Sequence, residues 1–111
     1  MVSRREEDVP HWETRKTHIT IRLRMTIYAY ARYRHNYKNL DPQLQKLVDR
    51  RVSLFRRSPF DPRLDAHRLH GKLKNQWSFS VDAQNRVLFE FLDKKNENAV
   101  FLDVGDHSIY K

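Results

Sequence analysis

The segment His67-Arg68-Leu69-His70-Gly71-Lys72-Leu73-Lys74 places two imidazoles and three cations within eight residues. An imidazole titrates at about 6.5 and can move a proton at neutral pH. Arg and Lys contribute the charge that grips phosphate, and Gly71 permits close backbone approach. The His67-x-x-His70 spacing raises a metal pair. A zinc site takes about three or four ligands, however, and this stretch does not read as a helix, so no metal is expected.

Three further positions have the right chemistry. His107 follows Gly105-Asp106, directly after the apolar run Ala99-Val100-Phe101-Leu102-Asp103-Val104. A histidine at the open end of a central strand can reach a cleft and act as general acid or base; equally, it can be a strand-end histidine bonded to a turn. Tyr110, three positions on, can stack on a nucleobase or touch a phosphate, or it can cover the sheet edge as a tail residue. Arg86 opens the run Val87-Leu88-Phe89-Glu90-Phe91. There its guanidinium can hold a phosphate and offset developing negative charge, or pair with Glu90 or a nearby Asp. Arg50, Arg51, Arg56 and Arg57 form a basic face that is either simply solvated or in contact with nucleic-acid phosphates.

The whole chain narrows the choice of partner. With 111 residues there is room for one domain. Lys and Arg number 22 against 14 Asp and Glu, giving a net charge of +8 and a pI near 10.0, which favours a polyanionic partner. There is no cysteine, so disulfides, thiol nucleophiles and thiolate metal sites are excluded. No apolar run approaches the roughly 18 residues of a membrane helix, and Met1 to Val9 lack the apolar core of a secretion signal. The expectation is a soluble cytoplasmic protein.

The elements that position these residues follow from patterning. Residues 1–16 have no periodicity and read as a loose arm. Ile19, Ile21, Leu23, Met25 and Ile27 then alternate with polar residues, as in a half-buried strand. Tyr30, Tyr33, Tyr37 and Leu40 recur at helical spacing. Asp41-Pro42 reads as N-cap and first residue of a second helix, with Leu44, Leu47, Val48, Val52 and Phe55 inward and Ser58-Pro59 at its end. Strands are expected near His67–Leu73, Trp77–Val81, Arg86–Leu92 and Ala99–Val104, joined by short polar connectors. Trp77, Phe79 and Val81 should face the core, with Ser78, Ser80 and Asp82 opposite. The expected fold class is α+β: two N-terminal helices in a hairpin packed on a mainly antiparallel sheet of about four to five strands.

From Met25 to Lys111 the chain resembles the RelE/ParE superfamily of bacterial toxins, closest to RelE-like and YafQ-like messenger RNA endonucleases. The residues carrying the resemblance are Pro59-Phe60-Asp61-Pro62-Arg63-Leu64, His67 to Leu73, Trp77 to Val81, Arg86 to Phe91 and Gly105-Asp106-His107-Ser108-Ile109-Tyr110. The resemblance implies a toxin domain over 25–111, with 1–24 an added arm or a start codon assigned too early. In YafQ-like relatives the last strand ends in Gly-x-His followed closely by an aromatic residue, and that histidine is catalytic, a role this carries to His107. Leu69 and Gly71 then look structural. Some relatives also place a histidine on the Trp77–Val81 strand. Ser80, Asp82 and Asn85 stand in that region here, so a second imidazole would be His67 or His70. Arg86 is shared with relatives that are not nucleases.

The function so implied is that of a type II toxin: a metal-independent endoribonuclease cutting messenger RNA, on the ribosome, and stopping translation. His107, Arg86, His67, His70 and Tyr110 would be catalytic, and Arg68, Lys72, Lys74, Arg56 and Arg57 would bind RNA. The expected partners are an antitoxin protein and ribosome-bound message, with no small-molecule cofactor and no membrane. A ParE-like inhibitor of DNA gyrase and a non-catalytic basic RNA-binding module are the alternatives.

Overall fold

The computed structural model describes residues 25–71 and 75–110. The arm expected over 1–24, the alternating residues Ile19 to Leu23, and Lys72 and Lys74 lie outside them. Within them the order is β1 (Thr26–Ala29), α1 (Ala31–Lys38), α2 (Pro42–Arg57), a 3-10 turn (Pro62–Leu64), β2 (His67–Arg68), β3 (Trp77–Ser80), β4 (Arg86–Phe91), β5 (Asn98–Gly105) and a final 3-10 turn (His107–Tyr110).

Local chemistry sets the helix ends. The Asp41 carboxylate accepts from the Leu44 amide at 2.9 Å, and Pro42 occupies a first-turn position where no amide donor is needed. Gln45 ties the two helices together: its side-chain amide donates to the Tyr37 carbonyl at 2.8 Å, which also accepts from the Leu40 amide at 3.1 Å where α1 ends. The Tyr37 hydroxyl donates to Asp49 at 2.7 Å. At the far end of α2, Arg56 donates to the Met25 carbonyl at 2.7 Å and fixes the helix to the start of the sheet.

The sheet order is β1-β5-β4-β3-β2. It is mainly antiparallel, as expected, but not purely so: β2 to β5 form an antiparallel meander, while β1 lies parallel to β5, with Ile27 opposite Ala99 and Ala29 opposite Phe101. Both helices follow β1 in the chain, and the return to a parallel neighbour requires a long connection of this kind. The expected strand over His67–Leu73 shrinks to His67–Arg68. Leu69 still donates to the Gln76 carbonyl at 2.8 Å, but Gly71 turns the chain with a left-handed φ of +71°. Among the described residues no atom lies within 4 Å of where its Cβ would be, so within the fold this glycine is needed for its backbone conformation.

The core lies between the helices and one face of the sheet. Phe55 is fully buried, with ring centroids 4.8 Å from both Phe79 and Phe89 and 5.6 Å from Phe101. β4 and β5 shift register at Leu88/Phe89, where Leu88 opposes Asp103 but Phe89 opposes Phe101. This bulge lets Phe101 and Val104, three apart, both join the core. Leu88, Val100, Leu102 and Ile109 form a second cluster.

The β3–β4 turn is closed by Asp82, whose carboxylate accepts from the backbone of Gln84 at 2.8 Å and of Asn85 at 2.7 Å. Burial raises the Asp82 pKa, but these bonds outweigh it and hold the carboxyl below its ordinary value. The stabilisation is therefore present above an unfolded value of about 3.9 and is lost as the pH falls through the lower folded value. Asp82→Ala should cost about 1 kcal/mol at neutral pH, and urea unfolding in strong acid should show the gap to wild type closing. A gap that persisted in acid would contradict this.

Candidate functional site

Strand alternation puts Ser78, Arg86 and Leu88 on the sheet face opposite Phe79, Val87 and Phe89. On that side an open cleft of about 390 Å³ is lined by His67, Leu69, His70, Arg86, His107 and Tyr110. It thus gathers all five residues proposed for catalysis from three separate stretches of sequence.

Arg86 is the most firmly held of them. Its Nε donates to the Ser78 hydroxyl at 2.9 Å, and one terminal nitrogen donates to the Asp65 carbonyl at 2.9 Å. The other lies 3.7 Å from the Asp65 carboxylate. Ser78 lies on the face opposite the core, as expected, yet is fully buried, because Arg86 lies over it. The alternative ion pair for Arg86 is thus formed with Asp65. That carboxylate is largely exposed, so the pairing orients more than it stabilises.

The His67 Nδ1 lies 3.1 Å from the Asp65 carbonyl and 3.4 Å from the same terminal nitrogen of Arg86. The first contact requires a proton on Nδ1 and the second a lone pair there. We assign the proton to Nδ1, because the carbonyl contact is shorter and Arg86 already donates to that carbonyl. The Nε2 lone pair is then free to accept a proton.

His107 and Tyr110 are delivered by the closing 3-10 turn. The Asp106 carboxylate accepts from the Ser108 amide at 3.0 Å, and that bond draws its pKa below the ordinary value. Ile109 N–H donates to the Asp106 carbonyl at 3.1 Å, and its buried side chain pins the turn to Leu88, Val100 and Leu102. A Cβ on Gly105 would stand 3.1 Å from Ile109, so the chain comes closest there. In a 3-10 turn positions i and i+3 lie one above the other. The three-residue spacing therefore brings Tyr110 beside His107, with ring centroids 6.3 Å apart.

The remaining described candidates lie elsewhere. Arg68 is on the helix-bearing side, with its guanidinium 5.4 Å from the centre of the Trp77 ring. Arg56 is committed to the Met25 carbonyl, Arg57 is exposed at the end of α2, and neither lines the cleft. Asp65 and Ser78 are the residues that sequence reasoning missed. Ser78 had a legible signal, since its parity places it on the Arg86 face. Among the described residues no group of three His, Asp or Glu gathers as a metal cluster, and no helix is long and apolar enough to cross a membrane.

No family model matches the chain, and no curated protein matches it. Solved structures do. The YoeB/ParE toxin from Agrobacterium tumefaciens superposes with a TM-score of 0.64 at 15% identity, over 75% of this chain and 99% of that one. The fold is that of the RelE-like toxins. The E. coli DinJ-YafQ toxin-antitoxin complex matches with a TM-score of 0.62 at 16% identity, over 78% of this chain and 96% of that one. The RelBE2 toxin-antitoxin complex from Mycobacterium tuberculosis matches at 0.61 and 20% identity, over 75% and 98%.

The His67 tautomer can be checked directly. Nitrogen-15 NMR of the neutral imidazole should place the proton on Nδ1, and Asp65, which contributes only a backbone carbonyl to this contact, should be replaceable by Asn without changing it. A proton on Nε2 would reverse the assignment.

Proposed function

We propose that this protein is the toxin of a type II toxin-antitoxin pair and cuts messenger RNA in the ribosomal decoding site. The observation that carries the reading is the convergence of His67, Arg86, His107 and Tyr110 on one open cleft of a RelE-like fold, in a chain of net charge +8. The toxin-antitoxin complexes among the structures it resembles support an antitoxin as its second ligand.

The chemistry that fits this cleft is transesterification within the RNA. His67 Nε2 takes the proton of a ribose 2′-hydroxyl, whose oxygen attacks the adjacent phosphorus. The bond from phosphorus to the 5′-oxygen of the next nucleotide breaks, and His107 supplies that oxygen with a proton. Arg86, pre-oriented by Ser78 and the Asp65 carbonyl, offsets the charge gathering on the phosphate oxygens without reorganising during the reaction. Tyr110 offers a face for a base next to the cut. His70 lines the cleft mouth and adds charge toward the RNA when protonated.

His107 is exposed, so His107→Ala should leave the melting temperature nearly unchanged. Losing a general acid should slow single-turnover cleavage on programmed ribosomes by a hundredfold to ten-thousandfold, in order of magnitude. A variant that melts normally and cuts at near wild-type rate would remove His107 from the mechanism. Induced expression should halt translation while DNA supercoiling persists. Loss of supercoiling with translation and transcripts intact would install the gyrase-inhibitor reading instead.

A further inference from the structure

A second constellation lies across the edge strand from the cleft. Phe60 is 51% exposed, although Trp77 and Phe91 support it from within at ring-centroid distances of 5.6 and 5.7 Å. Its turn is fixed by the Asp61 amide donating to the Ser58 carbonyl at 3.0 Å. Arg68 lies over Trp77 at 5.4 Å. These side chains, with Lys94 and the exposed Leu92, line an open recess of about 600 Å³. Glu90 and Asp93 also line it. The Asp93 carboxylate is taken up by the amides of Glu97 and Asn98, both at 3.0 Å.

We propose that this recess is a base-stacking subsite for single-stranded RNA flanking the cut, an inference that rests on the nuclease reading above. An aromatic ring held rigid from behind and open in front is what an unpaired base stacks on, and such stacking tolerates any sequence. With two carboxylates against Arg68 and Lys94, the recess grips phosphate poorly, so its ligand is the flat face of a base. Continuity with the cleft argues for RNA as the occupant. His67 and Arg68 are consecutive residues of β2, the edge strand, and their side chains leave on opposite faces. Their Cα atoms are about 3.8 Å apart, so RNA leaving His67 over this edge meets Arg68 and then Phe60. The same side chain that stacks on Trp77 would then cover the base from its other side.

The test is an abasic scan. Messages lacking one base at successive positions on each side of the cut are presented on ribosomes to the wild-type protein and to Phe60→Ala and Phe60→Tyr. One flanking abasic position should slow wild-type cleavage by about ten- to a hundredfold. Phe60→Ala should slow cleavage of intact message by a similar factor and be indifferent to that position, while Phe60→Tyr, which keeps the ring, should behave as wild type. An identical abasic profile in wild type and Phe60→Ala would overturn the subsite while leaving the nuclease intact. So would a Phe60→Ala protein that cuts normally but has lost antitoxin binding, since the recess would then belong to a protein partner. If the wild type cuts no message at all, the nuclease reading falls and the subsite with it.

Discussion

Phe55, in the last turn of α2, touches aromatic rings from β3, β4 and β5 at once, and this contact fixes which face of every strand is which. Once Phe79, Phe89 and Phe101 are committed to the helix side, alternation sends Ser78, Arg86 and Leu88 to the other. A slip of one residue in β4 would turn Arg86 and Glu90 toward the helix side and expose Phe89, a double cost. The aromatic core therefore does more than hold the domain together. It decides that the cationic and imidazole side chains meet on one surface.

Two local departures from regularity refine that surface. The bulge opposite Leu88/Phe89 changes the parity of β5, keeping Val104 in the core and bringing Gly105 opposite Arg86 at the strand's end. From there the chain has only to close a 3-10 turn, anchored by Ile109, to set His107 and Tyr110 at the cleft. Arg86 is fixed differently, by a buried hydroxyl and a backbone carbonyl. Preorganisation of this kind suits a group that must meet a charged transition state. Both of these hydrogen-bond acceptors are neutral, and the one anionic neighbour given for the guanidinium, the Asp65 carboxylate at 3.7 Å, is largely exposed to solvent, so the pairing leaves much of the positive charge available to a phosphate.

Much of this was legible in the sequence because it rests on period and punctuation. Asp41-Pro42 marked the start of α2, the stripe ending at Phe55 marked its inner face, and Trp77, Phe79 and Val81 marked the core side of the meander. The parallel pairing of β1 with β5 was not legible, since alternation within a strand carries no information about its neighbour. The brevity of β2 was hidden as well: His67 to Leu73 reads as strand in composition, and only the left-handed Gly71 redirects it. At the site, His107 and Arg86 stood out by residue type at strand ends. Asp65 did not, because its contribution is mainly a carbonyl oxygen, which every residue possesses. That Arg68 faces the other side of the sheet from its sequence neighbour His67 follows from strand alternation, but the nearness of the two in sequence conceals it.

In the reaction proposed for the cleft a ribose hydroxyl attacks its own phosphate without a metal, and the ends of the cut RNA report on that attack most directly. Mass spectrometry of the fragments released by the wild-type protein from programmed ribosomes should find a 2′,3′-cyclic phosphate on the upstream piece and a 5′-hydroxyl on the downstream one. A 3′-hydroxyl paired with a 5′-phosphate would mean that water or another external nucleophile makes the attack, and would contradict the proton-transfer roles of His67 and His107 and the charge-stabilising role of Arg86.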